Sequence, residues 1–399
     1  MNLSLSKTDD LAERVRALAA DLASQFPGSS GGRQPVHTVF VPADEFSADT
    51  PAEWGGRALR LLNKHTPGDG SFGTTFMLDP SLAGMIRSRV AAKLAREPVE
   101  DLRIDFAGAY GTRGEDEEDA HVAQAVEAVA ASYNAQRLPH FWGVRVKSFS
   151  GGGHERAMRT LDGFLTSLRD RLGRLPGGFT ITLPDVADAA QVGVFTDYLD
   201  RLEAALGLPG GVLHFEIQID LPQVLADHRG GLGIRRILTS GQGRIGTVHF
   251  GAASYTAALG LPHEEQRLDH PACDFARHVL QTSVAGRGIR LSDGPSHMIP
   301  RDEGGDEIAA CWQAHVTGVR HSLAHGFYQS WDLHPAHLTA RYAALFDFHL
   351  SGVDATVDKI RAASDPAPHL MERLQRGVAC GALDESVLQI PRAGGGPGS

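Results

Sequence analysis

The last predicted strand of the sequence carries an acid and a base two residues apart. Asp332 and His334 alternate along GFYQSWDLH, so both side chains share one face and can act as an acid/base pair. A structural role in closing the sheet competes with that interpretation. Earlier in the chain, Ser292, Asp293 and Gly294 form a predicted turn whose backbone N–H groups can cradle a substrate carboxylate, and a plain turn explains the same residues equally well.

Four histidines also invite a chemical interpretation. His321 and His325 lie four residues apart on a predicted helix, a spacing that can ligate Zn²⁺. The sequence offers no evident third ligand, so a solvated helix face is the interpretation we favour. His37 and His249, on the first and sixth predicted strands, can line a pocket, but such histidines are more often satisfied interior residues.

Eight apolar segments, most of them separated by helical patterns, predict the strands that position these residues. They are HTVFV (37–41), LRIDF (102–106), FWGVRVKSF (141–149), FTITL (179–183), VLHFEIQID (212–220), RIGTVHFG (244–251), GIRLSDG (288–294) and GFYQSWDLH (326–334). An open doubly wound sheet gives a similar alternation. Its strands, however, are buried on both faces and read as continuous apolar runs.

Several of the predicted strands instead alternate polar and apolar residues. Glu216, Gln218 and Asp220 share one face of the fifth strand, and Arg145 and Lys147 share one face of the third. Polar stripes that point into a common interior favour a closed barrel with its substrate site at the carboxyl ends of the strands. We therefore predict a single α/β domain, a (β/α)8 TIM barrel.

Helices flank the predicted barrel. Leu11, Val15, Leu18 and Leu22 predict an amphipathic first helix that packs on the outside of something larger. The predicted organisation is an N-terminal helix and linker (1–32), the barrel (33–352), a C-terminal helical extension (353–390) and a disordered tail (391–399). Gly151 to Gly153 do not fit a dinucleotide fingerprint and predict a flexible loop at the barrel mouth.

Composition narrows the class of protein. The formal net charge of -10 and the scattered basic residues argue against nucleic-acid binding. No apolar run approaches the length of about 18 residues that spans a bilayer, and the N-terminus lacks the pattern of a signal peptide. The three widely spaced cysteines predict neither disulfides nor a thiolate metal site. We expect a cytoplasmic protein with a small-molecule partner.

Five motifs in order along the chain carry a resemblance to a known family. They are VRVKSF, HFEIQIDLPQ, HFGAASYTAALG, LSDGPSHMIP and GFYQSWDLHPAHLTARYAA. From about residue 37 to residue 388 the chain resembles the class II pyruvate aldolase and citrate lyase beta-subunit superfamily, and more distantly malate synthase. It looks closest to a branch of larger bacterial members. The resemblance implies a barrel that binds a 2-oxo acid or carboxylate, with Mg²⁺ or a similar ion holding an enolate.

The resemblance also implies roles for individual residues. Arg145 matches the arginine that holds the enolate oxygen or carboxylate, although pairing with the barrel acids is the structural alternative. Lys147 adds positive potential or points outward. Asp220 matches the first metal-binding acid. Glu216 and Gln218 orient Asp220 or contact substrate, and for Glu216 a purely structural interior role is the favoured interpretation.

The sequence departs from the family at other positions. Ser254 stands where the second metal-binding acid is expected, Ala107 and Gly108 replace a Glu-Asp pair, and Asp185 replaces a lysine. A divalent ion held by Asp220 alone loses most of the negative charge that makes such sites tight. No cofactor is therefore certain, and any Mg²⁺ site is weak.

These arguments leave two classes of function open. The first is an aldolase-like or lyase-like enzyme that acts on a carboxylate or 2-oxo acid, by a metal-assisted or a metal-independent reaction. The second is a non-catalytic protein that binds a small carboxylate. The family commonly self-associates, so we expect a homo-oligomer. The candidate catalytic residues are Arg145, Asp185, Asp220 and Asp332, and the candidate substrate-binding residues are Arg145, Lys147, Glu216, Gln218, Ser254 and Asp293.

Overall fold

The fold was analysed in a computed structural model, which describes residues 8–28, 31–227, 230–363 and 368–390. Eight parallel strands form the centre. They are β1 (His37–Pro42), β2 (Asp101–Asp105), β3 (Phe141–Arg145), β4 (Phe179–Leu183), β5 (Phe215–Ile219), β6 (Ile245–Phe250), β7 (Arg290–Ser292) and β8 (Ser330–Asp332). All eight predicted strands are present, each within or close to its predicted segment.

The strands follow one another around a barrel in the order β7, β6, β5, β4, β3, β2, β1, β8. The first and last strands of this order are only three residues long and meet at a single parallel bridge between Ser292 and Gln329. The amide of Asp293 donates to the carbonyl of Gln329 there, at 2.8 Å. The barrel thus closes through a narrow seam, and the predicted TIM barrel is confirmed.

Helices surround the barrel. They are α1 (Asp9–Gln25), α2 (Thr50–His65), α3 (Asp69–Phe76), α4 (Pro80–Arg96), α5 (Glu115–Asn134), α6 (His154–Leu172), α7 (Ala189–Leu206), α8 (Pro222–Leu225), α9 (Gly233–Ser240), α10 (Ala252–Ala258), α11 (Pro271–Val284), α12 (Gly305–Ala324), α13 (Pro335–Leu350), α14 (Val353–Ala362) and α15 (Pro368–Ala379). Short 3-10 turns occupy Ser150–Gly152, His263–Glu265 and Glu385–Leu388. None of the helices in the described ranges is long and apolar enough to cross a membrane.

The main core lies between the barrel and its helices. Outward-facing strand residues such as Val39, Ile181 and Ile217 are fully buried against helix residues such as Leu61 and Leu199. Apolar residues at helical spacing on one side of each helix produce this layer. The barrel interior holds the polar residues of the alternating strands, as their spacing predicts.

The first helix, α1, is an exception to the packing we expected. Its apolar residues Leu11, Val15, Leu18 and Leu22 are 50%, 63%, 62% and 55% exposed. The described part of this chain therefore leaves uncovered the apolar face that we expect to pack on the outside of something larger. The chain reaches the barrel only after α1, where the amide of Gly28 donates to the carbonyl of Gly286 at 2.8 Å.

The helices α14 and α15 follow the barrel within the predicted C-terminal extension. The last predicted segment, the disordered tail 391–399, lies outside the described residues. The glycines at 151–153 form part of a short 3-10 turn after β3, with Gly151 and Gly152 in left-handed conformations at φ 65° and 86°. Glycine adopts these angles without a steric penalty.

Candidate active site at the carboxyl end of the barrel

Three charged residues meet where neighbouring strands end. Asp105 is the last residue of β2, Arg145 is the last residue of β3 and pairs with Asp105 in the sheet register, and Asp220 directly follows β5. The carboxyl ends of barrel strands form the surface on which enzymes of this fold build their sites. The strand pattern therefore positions a cation between two acids at one mouth.

Arg145 lies between two aromatic rings. Its guanidinium carbon is 5.4 Å from the centre of the Phe40 ring and 5.8 Å from that of the Trp331 ring. The side chain is only 12% exposed, and its Nη1 is 3.6 Å from Asp105 Oδ2, too far for a hydrogen bond. Within the described part of the chain, the buried Nε has no hydrogen-bond partner. The aromatic rings thus hold the guanidinium in place while leaving donors for a ligand.

Asp105 is held by the backbone that follows it. Its Oδ1 accepts N–H groups from Ala107 and Gly108 at 2.8 and 3.1 Å, and its Oδ2 accepts one from Ala109 at 3.2 Å. This carboxylate is a fixed negative charge beside Arg145. Alternation in LRIDF places Asp105 on the same strand face as Arg103, but this pattern alone assigns it no role in the site.

Asp220 is buried, with 1% of its surface exposed. Its Oδ1 accepts a hydrogen bond from Gln218 Nε2 at 2.8 Å, whereas its Oδ2 lacks a partner among the described residues. Burial raises the pKa of this carboxyl to about 6, and the nearby charge of Asp185 adds to the rise, while the hydrogen bond from Gln218, the charge of Arg145 and the backbone of Asp185 oppose it. Asp220 can therefore gain and lose a proton close to neutral pH.

Asp185 reaches the mouth from the end of β4. It adopts a left-handed backbone conformation at φ 51°, which is uncommon for a residue other than glycine. Its carbonyl accepts a hydrogen bond from Ser150 Oγ at 3.3 Å, which ties the β3 and β4 loops together. A strained residue held in this way is typical of functional loops.

A hydrogen-bonded polar layer lies beneath the mouth. Arg103 makes a two-pronged ion pair with Glu216, at 2.8 and 2.9 Å, and Thr182 donates to the same carboxylate. On the other side of Glu216, Nε2 of His249 lies 3.0 Å away. Trp331 Nε1 donates to Nδ1 of His249 at 2.7 Å, so the proton of the neutral ring sits on Nε2 and faces Glu216.

This layer decides the role of one predicted substrate-binding residue. Both carboxylate oxygens of Glu216 accept hydrogen bonds inside the barrel, and its negative charge lies beside Arg103 and His249. The structure therefore supports the interior structural role that was favoured for Glu216. Gln218, one layer nearer the mouth, keeps Oε1 unpaired among the residues described and remains a candidate ligand contact.

Lys147 is tied to the loop after β2. Its Nζ donates to the carbonyls of Phe106 and Gly111, at 2.8 and 3.1 Å, and lies 3.2 Å from Glu118. The Tyr110 ring lies 5.2 Å below the ammonium group. These contacts make Lys147 a brace for the loop beside Arg145, and the geometry does not bring it to a ligand.

Asp332 points away from the mouth, contrary to its proposed catalytic role. Its two oxygens pair with Arg341 Nε and Nη2, both at 2.7 Å, and with His37 Nδ1 and His315 Nε2 at 2.7 and 2.9 Å. The arginine charge and the histidine hydrogen bonds hold the pKa of this fully buried carboxyl well below its usual range, against the effect of burial. Asp332 therefore fastens β8 to α13. Its proposed partner His334 caps α13 instead, where its Nδ1 accepts from the amide of Ala336 at 3.1 Å.

Asp293 is also directed toward the helices. Its Oδ2 accepts from Arg277 Nε at 2.9 Å and from Ser322 Oγ at 2.6 Å, and its Oδ1 accepts from the amide of Gly294. Neither oxygen is available to a substrate, so the proposed substrate-binding role is not supported. Ser254 lies on α10 with its side chain exposed, and the structure places it in no contact with the acids at the mouth.

These placements test the fit of a divalent ion. Among the described residues, groups of three His, Cys, Asp or Glu ligand atoms gather at two places, and neither is the mouth. Ala107 and Gly108 supply no side-chain ligand, and Asp105 is occupied by backbone N–H groups. The donor set therefore does not fit a metal held by protein carboxylates, and we derive no step through one.

A cavity of about 770 Å³ opens at the opposite, amino end of the barrel. Residues from the starts of the strands line it, among them Asp101, Phe141, Thr180, His214 and Arg290. The free guanidinium donors and the open carboxyl oxygen lie at the other mouth. We therefore place the candidate active site at the carboxyl end.

Comparison with known proteins supports the fold. Solved structures similar to this chain include a citrate lyase from Burkholderia xenovorans LB400, with a TM-score of 0.52 and 16% identity over 77% of this chain and 92% of that one. A Haloferax volcanii malate synthase at 3 mM glyoxylate has a TM-score of 0.51 and 14% identity over 90% and 99%. A lead(II) complex of malate synthase from the same organism has a TM-score of 0.51 and 13% identity over 87% of each chain.

At these identities the likeness shows a shared TIM-barrel fold, and the finer kinship with citrate lyase stays a prediction. No curated protein matches the chain. A family model described as Domain of unknown function (DUF6986) matches residues 15–391. Because that match covers nearly the whole sequence, the chain belongs to this family.

Proposed function

We propose that the protein is an aldolase-like carbon–carbon lyase that binds a small 2-oxo acid or carboxylate at the carboxyl end of its barrel. One observation carries the proposal. The side chains of Arg145 and Asp220 lie at the same mouth of the barrel. The buried Nε of Arg145 and the Oδ2 of Asp220 both lack a hydrogen-bond partner among the described residues. A reaction next to a carbonyl needs a group that stabilises negative charge on oxygen and a group that transfers a proton. The Arg145 guanidinium and the Asp220 carboxyl can supply these two functions.

Arg145 supplies the anion-binding function. Breaking or making a bond beside a carbonyl places negative charge on oxygen, and a guanidinium in a partly desolvated site stabilises that charge. The rings of Phe40 and Trp331 restrict its motion, so little ordering is required when the ligand binds. The neighbouring Asp105 keeps the local charge balanced in the absence of ligand.

Asp220 supplies proton transfer. Its pKa of about 6 gives a carboxylate that accepts a proton at neutral pH and returns it readily. Gln218 fixes the orientation of the carboxyl through Oδ1, which leaves Oδ2 to face the reacting molecule. Asp185 lies close enough to influence this titration, and we assign it a positioning role.

Two features favour a reaction without a tightly held metal. Ala107 and Gly108 offer no carboxylate, and the backbone around Asp105 leaves that residue to balance Arg145. A metal-independent lyase would rely on Arg145 for enolate stabilisation. The same features favour the second candidate function, a non-catalytic protein that binds a small carboxylate through Arg145. Self-association and a cytoplasmic location stay predictions.

Substrate titrations test the proposal. Pyruvate and oxaloacetate are added to the purified protein with Mg²⁺ and with EDTA, and both binding and turnover are measured. The variant Arg145→Lys keeps the charge but loses the fork, so the affinity should fall by about 1 to 3 kcal/mol. Arg171→Lys is the matched control, because Arg171 is a half-exposed arginine on α6 that pairs with Glu127.

The outcomes separate the candidate functions. Turnover that persists in EDTA supports the metal-independent lyase, and turnover that chelation abolishes shows that an ion participates. Binding without turnover, weakened in Arg145→Lys alone, supports the non-catalytic protein. Equal affinities in the wild type and in Arg145→Lys would refute the role of Arg145 in either function.

A further inference from the structure

A cluster of metal-binding side chains lies on the outer surface of the barrel, between α11 and α12. Asp274 comes from the first turn of α11, His321 from the last turn of α12, and His325 from the residue that ends this helix. Their ligand atoms all lie within 4.8 Å of one another. Asp274 is the third ligand that the spacing of the two histidines lacked, and it is distant from them in sequence.

The two imidazoles point at one oxygen. Nε2 of His321 is 2.8 Å from Asp274 Oδ1, and Nε2 of His325 is 3.5 Å from the same atom. A tetrahedral Zn²⁺ with ligand bonds of about 2.0 to 2.1 Å holds its ligand atoms about 3.3 Å apart. The observed separations from the carboxylate bracket that value, so small side-chain rotations suffice to admit the ion.

Hydrogen bonding fixes the tautomer of one histidine. Nδ1 of His325 lies 2.9 Å from the carbonyl of His321, which can only accept, so Nδ1 carries the proton. In the neutral ring Nε2 is then a lone pair that faces an oxygen of Asp274, and either a proton on Nε2 or a metal cation between the two atoms relieves their repulsion. An imidazole N–H bonded to a backbone carbonyl is also the usual orientation of a metal-ligating histidine.

The surroundings allow an ion to enter and to be held. The side chains of Asp274, His321 and His325 are 28%, 24% and 23% exposed, so the cluster is partly open to solvent. Arg277 donates to Asp274 Oδ1 at 2.7 Å, which orients the carboxylate. The charge of Arg277 is balanced from its other side by the buried Asp293, at 2.9 Å.

From this geometry we propose that Asp274, His321 and His325 form a Zn²⁺ site, with water in the fourth position. The ring of His278, one turn after Asp274, lies 5.8 Å from that of His325 and borders the site. Two neutral imidazoles and one carboxylate are a ligand set that zinc accepts and that Mg²⁺, which prefers oxygen, does not.

The position of the site indicates a structural role. The helices α11 and α12 precede and follow β7, the strand at the seam where the barrel closes. Arg277 lies one turn after Asp274, and Ser322 directly follows His321. The side chains of Arg277 and Ser322 both donate to Asp293 at the end of β7. A zinc ion would therefore hold together the two helices that support β7, one of the two three-residue strands at the seam of the barrel.

Metal titration of the full chain tests the proposal. Protein freed of metal by a chelator is titrated with Zn²⁺ in competition with a chromophoric chelator, and thermal unfolding is followed in parallel. We expect one equivalent to bind with a Kd below about 10 μM. The melting temperature should rise by about 3 °C when free zinc is a hundred times the Kd.

Three variants and one control locate the ion. His321→Gln, His325→Gln and Asp274→Asn should each weaken zinc binding at least tenfold and reduce the rise in melting temperature by about half or more at the same free zinc concentration. His369→Gln, an exposed histidine on α15, should bind as the wild type does. Far-ultraviolet circular dichroism verifies that each variant is folded before titration.

The proposal is overturned if the wild type shows no saturable one-to-one binding, or if His321→Gln and His325→Gln bind zinc as tightly as His369→Gln. Neither result depends on turnover at the barrel mouth, so failure of the zinc site and failure of the lyase proposal are distinguishable.

Discussion

We predict that the ionised carboxylate of Asp220 lowers the stability of the folded protein, although the proposed reaction requires this carboxylate. At neutral pH its carboxylate is ionised in a site where 1% of the residue is exposed, and Oδ2 is offered no hydrogen bond by the described residues. Asn at this position keeps the shape and retains an oxygen for Gln218 while removing the charge. We therefore expect Asp220→Asn to be more stable than the wild type and inactive.

The magnitude follows from the pKa. Folding moves the pKa of Asp220 upward from 3.8 to about 6, so the folded state binds this proton more tightly than the unfolded state. Above pH 6 the full difference acts against folding, and it amounts to roughly 3 kcal/mol. As the pH falls the folded carboxyl is protonated first, so the penalty shrinks to roughly half a kcal/mol at pH 4.

Urea unfolding at pH 8 and at pH 4 measures this effect. The stability gain of Asp220→Asn over the wild type should be largest at pH 8 and nearly vanish at pH 4. A gain that does not change with pH would show that the amide stabilises by packing alone. A loss of stability at pH 8 would refute the reasoning, because it would mean that the ionised carboxylate has a partner that stabilises it.

Three further predictions use other parts of the structure. Asp332→Asn should destabilise the fold by about 3 to 5 kcal/mol in urea unfolding, because Arg341 would remain buried without its carboxylate; a loss of activity at unchanged stability would instead return Asp332 to catalysis. Gly108→Ala should weaken carboxylate binding by about tenfold or more in titrations, because an added Cβ would lie 2.6 Å from Arg145 Nη1 and displace it, whereas Gly114→Ala, with open space around it, should bind normally. Calorimetry should detect no Mg²⁺ binding tighter than about 100 μM without substrate, and tighter binding that disappears in Asp220→Asn would contradict our assessment of the donor set.

The barrel could be predicted because its signal is local. Apolar runs of strand length between helical patterns give the strands, and alternation within VLHFEIQID shows which face is polar. The residues Glu216, Gln218 and Asp220 point inward as that alternation requires. The position of α1 could not be predicted in the same way, because an amphipathic pattern shows that a face is apolar and not what covers it.

The site was predicted less completely because strand ends break the alternation. Asp293 follows the three-residue strand β7, and Asp332 ends the three-residue strand β8. Each turns toward an arginine on a surrounding helix, Arg277 or Arg341. Sequence spacing cannot reveal these pairings, since Arg277 and Arg341 lie on helices whose packing against the strand ends is set by the tertiary fold. The position of Arg145 at the mouth follows from the sequence because the strand that carries it is regular up to its last residue, and its role stays a prediction.

The buried acids at the strand ends differ in how completely neighbouring groups compensate their negative charge. Asp293 and Asp332 are buried with arginines that match them, and such pairs are what a stable scaffold retains. Asp220 is buried to the same degree, and Arg145 influences its titration, but the described residues leave one of its oxygens without a hydrogen-bond partner. A position that serves the fold alone would be better filled by an amide or an apolar side chain. The retention of an acid there is the reason to look for chemistry at this mouth of the barrel and not at the cavity at the other end.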